Sequence, residues 1–423
     1  MTLGTRLDSQ FFNPQFMNLI VKIKKSNSTS LSAIAKFSGE TWNQKDFFDD
    51  TFPYIEISAI DTISGRIMAT NDVKKAEAPS RAKKIVRNND IIISTTRPNR
   101  GAISLLRLDN ISIASTGFAV IRDISEKVLR EYLFIILRQK CCLEQMLQRS
   151  SGGNYPAITE DELKKIQIPL PPIETQQKII DLYQKANESK QAKEQEAQKL
   201  LESIDVYLLN ELGIELSGNI KEKNFKVNIS ALLNEQFDVK SNQFKNIKAK
   251  SIKYAEIALK EITTINKGKS ITKDKITSGD YPVIAGGQTS PYSHSEYNED
   301  ENIITISASG AYSGFVWFHD YKIFASDCSA IRSKVEGQYM TKYLYAILKL
   351  KQDEIYKLQK GSGQPHVYPN DIEKITIPII NIDNQKRIVK DIQIIKEKAK
   401  ILQNEANIEF ENAKQKIEKI ILG

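Results

Sequence analysis

Two stretches decide the fold, KKIQIPLPPIETQQKII from Lys164 to Ile180 and EKITIPIINIDNQKRIV from Glu373 to Val389. Each runs through an apolar, strand-like segment closed by a proline, then an isoleucine, a polar pair and a glutamine that opens a helical stretch. Ile166 matches Ile375, Pro169 matches Pro378, Ile173 matches Ile382 and Gln176 matches Gln385, all at one offset of 209 residues (375 − 166). The chain repeats itself.

The repeat extends upstream. EYLFIILRQK from Glu131 resembles KYLYAILKLK from Lys342, IASTGFAVIRD resembles FASDCSAIRSK (Ala114 with Ala325), and IISTTRPNRGAI resembles TISASGAYSGFV (Ser94 with Ser307). Apolar runs such as DIIIST and NIITIS, bounded by Gly, Asn and Pro, read as strands and turns. An amphipathic helix follows, then a Gly-rich loop, SSGGNYP or GSGQPHV, and a last strand ending in Pro.

Behind that proline the composition changes. From Gln176 to Leu212 and from Gln385 to Leu422 there is no Gly or Pro, and Lys, Glu, Gln and Ala dominate, as in long helices. In the second, Ile388, Ile392, Ile395, Ala399, Leu402 and Ala406 form a heptad seam that resumes after a stutter with Phe410, Ala413, Ile417 and Ile420. In the first, Ile179, Leu182, Ala186, Ala197, Leu200, Ile204 and Tyr207 form a seam interrupted by Ser189 and Lys193. Either stripe alone fits a helix lying on a nearby domain. Together they fit an antiparallel coiled coil, each helix roughly 55 Å long at ~1.5 Å per residue.

The expected architecture is therefore α+β, a pseudo-twofold internal repeat of two globular α/β domains separated by two long helices. Its boundaries are residues 1–172, a helix 173–216, residues 217–381 and a helix 382–423. A chain of 423 residues suits more than one core. With 40% hydrophobic and 26% charged residues and no long apolar run, the chain does not read as a membrane protein. The start MTLGTRLDSQFFNP lacks a secretory pattern, so a cytoplasmic location is expected. The three cysteines and three histidines offer no metal-ligand spacing. A net charge of +8 fits an anionic partner without identifying it.

Catalytic patterns fall short. NPQF at Asn13–Phe16 superficially resembles the Asn-Pro-Pro-Phe/Tyr motif of adenine methyltransferases, but the second Pro is missing and no Gly-rich cofactor loop accompanies it. Neither Gly152-Gly153-Asn154 nor Gly361-Ser362-Gly363 carries a P-loop pattern. No carboxylate set defines a nuclease. Neither an enzyme nor a cofactor is expected.

Over essentially its whole length the chain resembles the specificity (S) subunit of type I restriction-modification systems. The resemblance rests on the doubled I-x-I-P-x-x-x-I-x-x-Q junction at Ile166–Gln176 and Ile375–Gln385, the Gly-rich loops before it and the long helices behind it. The stretch RLDSQFFNPQF (Arg6–Phe16) and its degenerate echo NEQFDVKSNQF, ending at Phe244, belong to the same pattern. The resemblance implies two target-recognition domains, each reading one half of an asymmetric bipartite site in double-stranded DNA. It also implies helices that set the unread spacer and dock two methyltransferase (M) subunits, and catalysis left to these and to motor-nuclease (R) subunits. The alternatives are a basic coiled-coil adaptor that does not read DNA and an inactive decoy subunit.

The candidate readers of the first domain are Arg81, Lys83, Lys84, Arg87, Arg97, Asn99 and Arg100. They lie in a segment between Arg81 and Arg107 whose one acid is Asp90, and Pro98 stiffens the TTRPNRG loop. Asn154 and Tyr155 of the Gly-rich loop are added as backbone contacts. In the second domain the equivalents are Lys267, Lys269, Gln288, Tyr292, Ser309, Tyr312 and Gln364, the lysines suited to phosphate. His294 and His366 are expected as exposed loop residues.

Overall fold

The computed structural model describes residues 11–42, 50–68, 70–217, 248–251, 253–361 and 363–423. The chain divides into two compact units, one of Met1–Gln195 with Gln403–Gly423 and the other of Glu196–Leu402. Arg6, Phe244 and Ser362 lie outside the described residues.

The first unit opens with α1 (Pro14–Lys25), whose N-cap Asn13 accepts a hydrogen bond from the Gln15 N–H at 3.0 Å, with Pro14 in the first turn. That is the local meaning of NPQF: an Asx cap followed by a proline already fixed in helical φ. Next come β1 (Ser28–Ser30), α2 (Leu31–Ile34), β2 (Ala35–Phe37), β3 (Thr51–Ile55), β4 (Asn71–Lys74), β5 (Ala82–Val86), β6 (Ile91–Ser94), β7 (Ile103–Leu105), β8 (Ser112–Ser115) and β9 (Phe118–Ile124). The helices α3 (Arg130–Leu137), α4 (Lys140–Arg149) and α5 (Glu160–Leu163) lead to β10 (Gln167–Pro169) and the long α6 (Ile173–Leu212). An antiparallel sheet runs β2-β9-β6-β7, a second runs β4-β3-β8-β5 with β3 and β8 parallel, and β1 pairs with β10.

The second unit repeats this plan. Its elements are β11 (Ile214–Ser217), β12 (Lys248–Ser251), β13 (Glu256–Ala258), α7 (Leu259–Ile262), β14 (Thr263–Lys267), β15 (Tyr281–Ile284), β16 (Ser293–His294), β17 (Ile303–Ser307), β18 (Val316–His319), β19 (Phe324–Ala325) and β20 (Cys328–Ser333). After them come α8 (Thr341–Leu350), α9 (Gln352–Tyr356), α10 (Pro369–Ile372), β21 (Thr376–Pro378) and the long α11 (Ile382–Leu422). The sheet β14-β20-β17-β18 matches β2-β9-β6-β7, β16-β15-β19 matches β4-β3-β8, and β13-β21 matches β1-β10. Both β6 and β17 are buried along their whole length, which is why DIIIST and NIITIS lack in-out alternation.

The doubled junction has a physical cause. The Gln176 side chain is fully buried; its Oε1 accepts the Leu129 N–H at 2.9 Å, and its Nε2 donates to the carbonyls of Lys127 and Pro171, each at 2.9 Å. Gln385 does the same: Oε1 accepts from the Met340 N–H at 2.8 Å, and Nε2 donates to Gln338 O at 2.9 Å and Ile380 O at 3.0 Å. Leu129 and Met340 are the residues that start α3 and α8, so one amide fastens the start of a domain helix to the start of a long helix. A buried tyrosine on the domain helix completes the joint: Tyr132 Oη donates to Pro169 O at 2.7 Å and Tyr343 Oη to Pro378 O at 2.9 Å.

The long helices pack antiparallel. In the first unit, Ser189 Oγ donates to Glu409, and Lys193 Nζ reaches Glu405 at 3.0 Å and Glu409 at 2.6 Å. In the second, Tyr207 Oη donates to Asp391 at 2.6 Å and Arg387 pairs with Glu211 at 2.5 Å. Ser189 and Lys193 therefore sit in a polar layer, and the buried member of that layer is Lys190, 5% exposed, bonded to Glu194 and, at 2.9 Å, to Asn407. The seam of α11 ends on Ile421, 5% exposed, while Ile420 is 48% exposed. Phe410, Ile417 and Ile421 enter the main core of the first unit, and that packing selects the face.

Gln176→Ala strands the Leu129 N–H and two carbonyls, so it should lower the unfolding free energy by about 2–4 kcal/mol in a denaturant titration. Gln177→Ala, whose exposed side chain bonds only Asp181 among the described residues, should change it by less than about 0.5 kcal/mol. Lys190→Met should leave thermal stability unchanged or raise it by up to about 2 kcal/mol, because an apolar chain fills the site without a desolvation cost. Lys190→Ala, which leaves a gap, should lower it.

Candidate nucleic-acid interface

At the C-terminal end of β6 three loops are knitted together by backbone hydrogen bonds. The Thr116 N–H donates to Arg81 O at 2.8 Å, the Thr95 N–H to Gly117 O at 2.8 Å, and the Arg97 N–H to Pro156 O at 2.7 Å. Arg81, Arg97, Asn154 and Tyr155 thus share one end of the sheet. Arg97 adopts a left-handed backbone (φ 48°); its guanidinium lies 4.1 Å from the Tyr155 ring centroid and donates to Asn154 O at 3.3 Å. Tyr155 is 70% exposed, so this stack of a cation on an aromatic face is presented to solvent. The Gly-rich loop beneath it is a small hairpin closed by reciprocal Ser151 and Ala157 bonds at 2.8 Å. Gly152 has φ 94°, and a Cβ there would come within 3.0 Å of Tyr155 O.

The expected basic cluster divides. Arg87 sits at the other end of β6, bonded to Glu40, whose carboxyl is held below its usual range first by Arg87 and then by Arg122. Arg122 reaches Glu40 and Asp90, both at 2.9 Å. Arg107 pairs with Glu131 at 2.7 Å. Lys83 and Lys84 lie half-buried on the edge strand β5. Arg100 is exposed, whereas Asn99 turns inward: its Oδ1 is buried, with no partner among the described residues, in a cleft lined by Arg138, Lys140, Leu143 and Glu418.

The second unit repeats two ties of this knot with other side chains and takes its third from the loop after β14, not from a loop equivalent to the one before β5. The Ala308 N–H donates to Asp327 O at 3.0 Å, the Gly310 N–H to Pro365 O at 3.0 Å and the Lys269 N–H to Ala325 O at 2.9 Å. Lys360 and His366 close the Gly-rich hairpin at 2.9 and 2.8 Å, with Gly361 at φ 103°. Lys269, Ser309 and Gln364 are brought together here, with Lys267 exposed at the end of β14. Gly286 rests on this knot, since a Cβ there would meet Ser309 O at 2.3 Å, and exposed Gln288 follows it, its amide bonded to Tyr356. Tyr312 is 49% exposed; Tyr292, 43% exposed, has Lys273 Nζ 5.7 Å from its ring centroid. Ser309 Oγ donates to the Asp327 carboxylate, a residue the sequence reading did not single out. Its signal lies in the repeat, which sets Asp327 against Thr116.

His294 departs from expectation. It is 8% exposed, accepts the Thr277 N–H through Nδ1 at 3.1 Å and packs edge-on against Phe324, so it is a core residue. Burial likewise pushes His319 down to about 4. Among the described residues no group of His, Cys, Asp and Glu could hold a metal ion, and no helix is long and apolar enough to cross a membrane.

Comparison with known proteins agrees with the geometry. The family described as the type I restriction modification DNA specificity domain matches residues 12–202 and 251–412. The type I restriction enzyme HindI specificity subunit of Haemophilus influenzae is 32% identical over 130 residues, 30% of this chain and 28% of that relative's length. A chain solved in work on complex assembly and conformational transition of the type I R-M system shares 21% identity and a TM-score of 0.54, covering 93% of this chain and 96% of its own. The S subunit of M. genitalium covers 94% of this chain and 96% of its own at 16% identity and a TM-score of 0.46. With both repeats inside the matched residues, this chain belongs to the type I restriction-modification DNA specificity family.

Proposed function

We propose that this chain is the DNA-recognition subunit of a type I restriction-modification complex. On this reading the recognition domains, residues 1–172 and 217–381, each take one half of an asymmetric bipartite site. The observation that supports it best is a pair of backbone ties that recurs at the end of β6 and at the end of β17, dressed with unlike side chains. A common scaffold with different loops is what two readers of two different half-sites require. Arg97, stacked on Tyr155, suits a guanine edge; Arg81, Lys83, Lys84, Lys267 and Lys269 suit phosphates. Arg87 already has a carboxylate partner, so its share in DNA binding is small.

The paired long helices, 173–216 and 382–423, serve as the spacer and carry two M subunits. The chain itself does no chemistry; methylation and cleavage fall to the M and R subunits, and the complex works in the cytoplasm. The net charge of +8 supplies sequence-independent, salt-sensitive affinity on which base contacts add selectivity.

The test is to coexpress the chain with its M subunit in a host lacking adenine methylation and to map methyladenine across the genome. The expected result is an asymmetric two-part motif with a fixed unread gap. Arg97→Ala with Arg100→Ala should relax one half of that motif, costing about 1–3 kcal/mol at a base position. Equal loss in both halves would overturn the assignment of this loop.

A further inference from the structure

Asp327 is out of place on a surface meant for a polyanion. It lies in the turn between β19 and β20, its carbonyl fixed by the Ala308 N–H at 3.0 Å. Among the described residues its carboxylate has one hydrogen-bond partner, Ser309 Oγ on Oδ2, and no cation pairs with it. Gly286 crosses directly over this pair: a Cβ there would lie 2.3 Å from Ser309 O and 3.3 Å from Asp327 Oδ2, so a side chain at 286 would collide with the backbone beside the acid. Lys269 and Gln364 approach from the flanking loops, through the Lys269 N–H on Ala325 O and the Pro365 carbonyl that accepts from Gly310.

An uncompensated carboxylate facing phosphates weakens binding by like-charge repulsion. One contact in a DNA groove rewards it. The cytosine N4 amino group is a donor in the major groove with no acceptor of its own base beside it, whereas adenine sets its N7 acceptor next to the amino group. We infer that Asp327, oriented by Ser309, reads a cytosine amino group through Oδ1 in the half-site taken by the second unit. This rests on the recognition reading given above. The turn at Thr116 and Gly117 in the first unit carries no acid, so the two units differ here in the sign of what they offer a base edge.

The experiment uses the full chain in complex with its M subunit and duplexes carrying each single base-pair change in the wild-type target. Asp327→Asn keeps the shape and the Ser309 contact while removing the charge. It is expected to cut discrimination at one C·G pair in one half-site by roughly ten- to a hundredfold, with all other positions unchanged and non-specific affinity equal or higher. A profile unchanged at every position would overturn the inference. So would loss spread evenly over all sequences, which would mean that Asp327 only positions Ser309, and so would relaxation at a pair other than C·G. A wild-type complex with no sequence preference would take down the recognition reading first, and that outcome is visible without the variant. Ser309→Ala should soften the same C·G preference by a smaller factor, a shift that a fold defect would not confine to one base pair.

Discussion

The structure depends on an amide buried where a strand stops and a helix begins. The proline that ends each strand gives up one backbone donor, and the first turn of any helix leaves its own N–H groups unpaired. Gln176 and Gln385 resolve both demands, giving one acceptor to the start of the domain helix and two donations to carbonyls that would otherwise be orphaned. Because these groups are buried, losing a bond costs far more than forming it gains. Within each unit the clasp ties the long helix to the sheet, and the tyrosine hydroxyl on the strand carbonyl fixes the remaining degree of freedom. With the joint invariant, the loops at the far end of the sheet can differ without disturbing it.

Charge is distributed along the same division of labor. Glu40, Asp90 and Glu131 engage Arg87, Arg122 and Arg107 at one end of the first sheet, where these arginines hold the loops before β6 and the start of α3. At the opposite end Arg97 meets an aromatic ring and a carbonyl but, among the described residues, no acid. A guanidinium without a carboxylate partner keeps its capacity for a bidentate contact, and the ring beneath it limits the orientations it can take. The second unit replaces this arginine stack with hydroxyls, amides and one carboxylate.

Much of this was legible in the sequence because it is local or periodic. The repeat, the buried strands at DIIIST and NIITIS and the two long helices all follow from spacing and composition. The repeated glutamines were legible as repeated residues, but the clasp each one makes was not, because Leu129 and Met340 lie 47 and 45 residues away along the chain. Ser189 and Lys193 mark a polar layer, yet nothing in the pattern says that Lys190 is its buried member; that depends on Asn407 of the other helix. The partition of the basic cluster was equally hidden, since Arg87 meets an acid 47 residues away and the Arg97 guanidinium a carbonyl 57 residues away. Pattern places a residue on an element; only the fold says which distant group is waiting for it.

The segment Gln403–Gly423 belongs to the first unit, and through Phe410, Ile417 and Ile421 it fills that unit's main core. The second unit is contiguous. Translation therefore delivers everything the second unit needs about twenty residues before the first can be closed, reversing the usual rule that the earlier domain finishes first. Until those residues are made, Ile179, Ile180 and Tyr183 must wait with one flank open. The last turns of α11 complete a core that starts with Ile23, so removing the two turns that carry Ile417 and Ile421 would strike the first unit and spare the second.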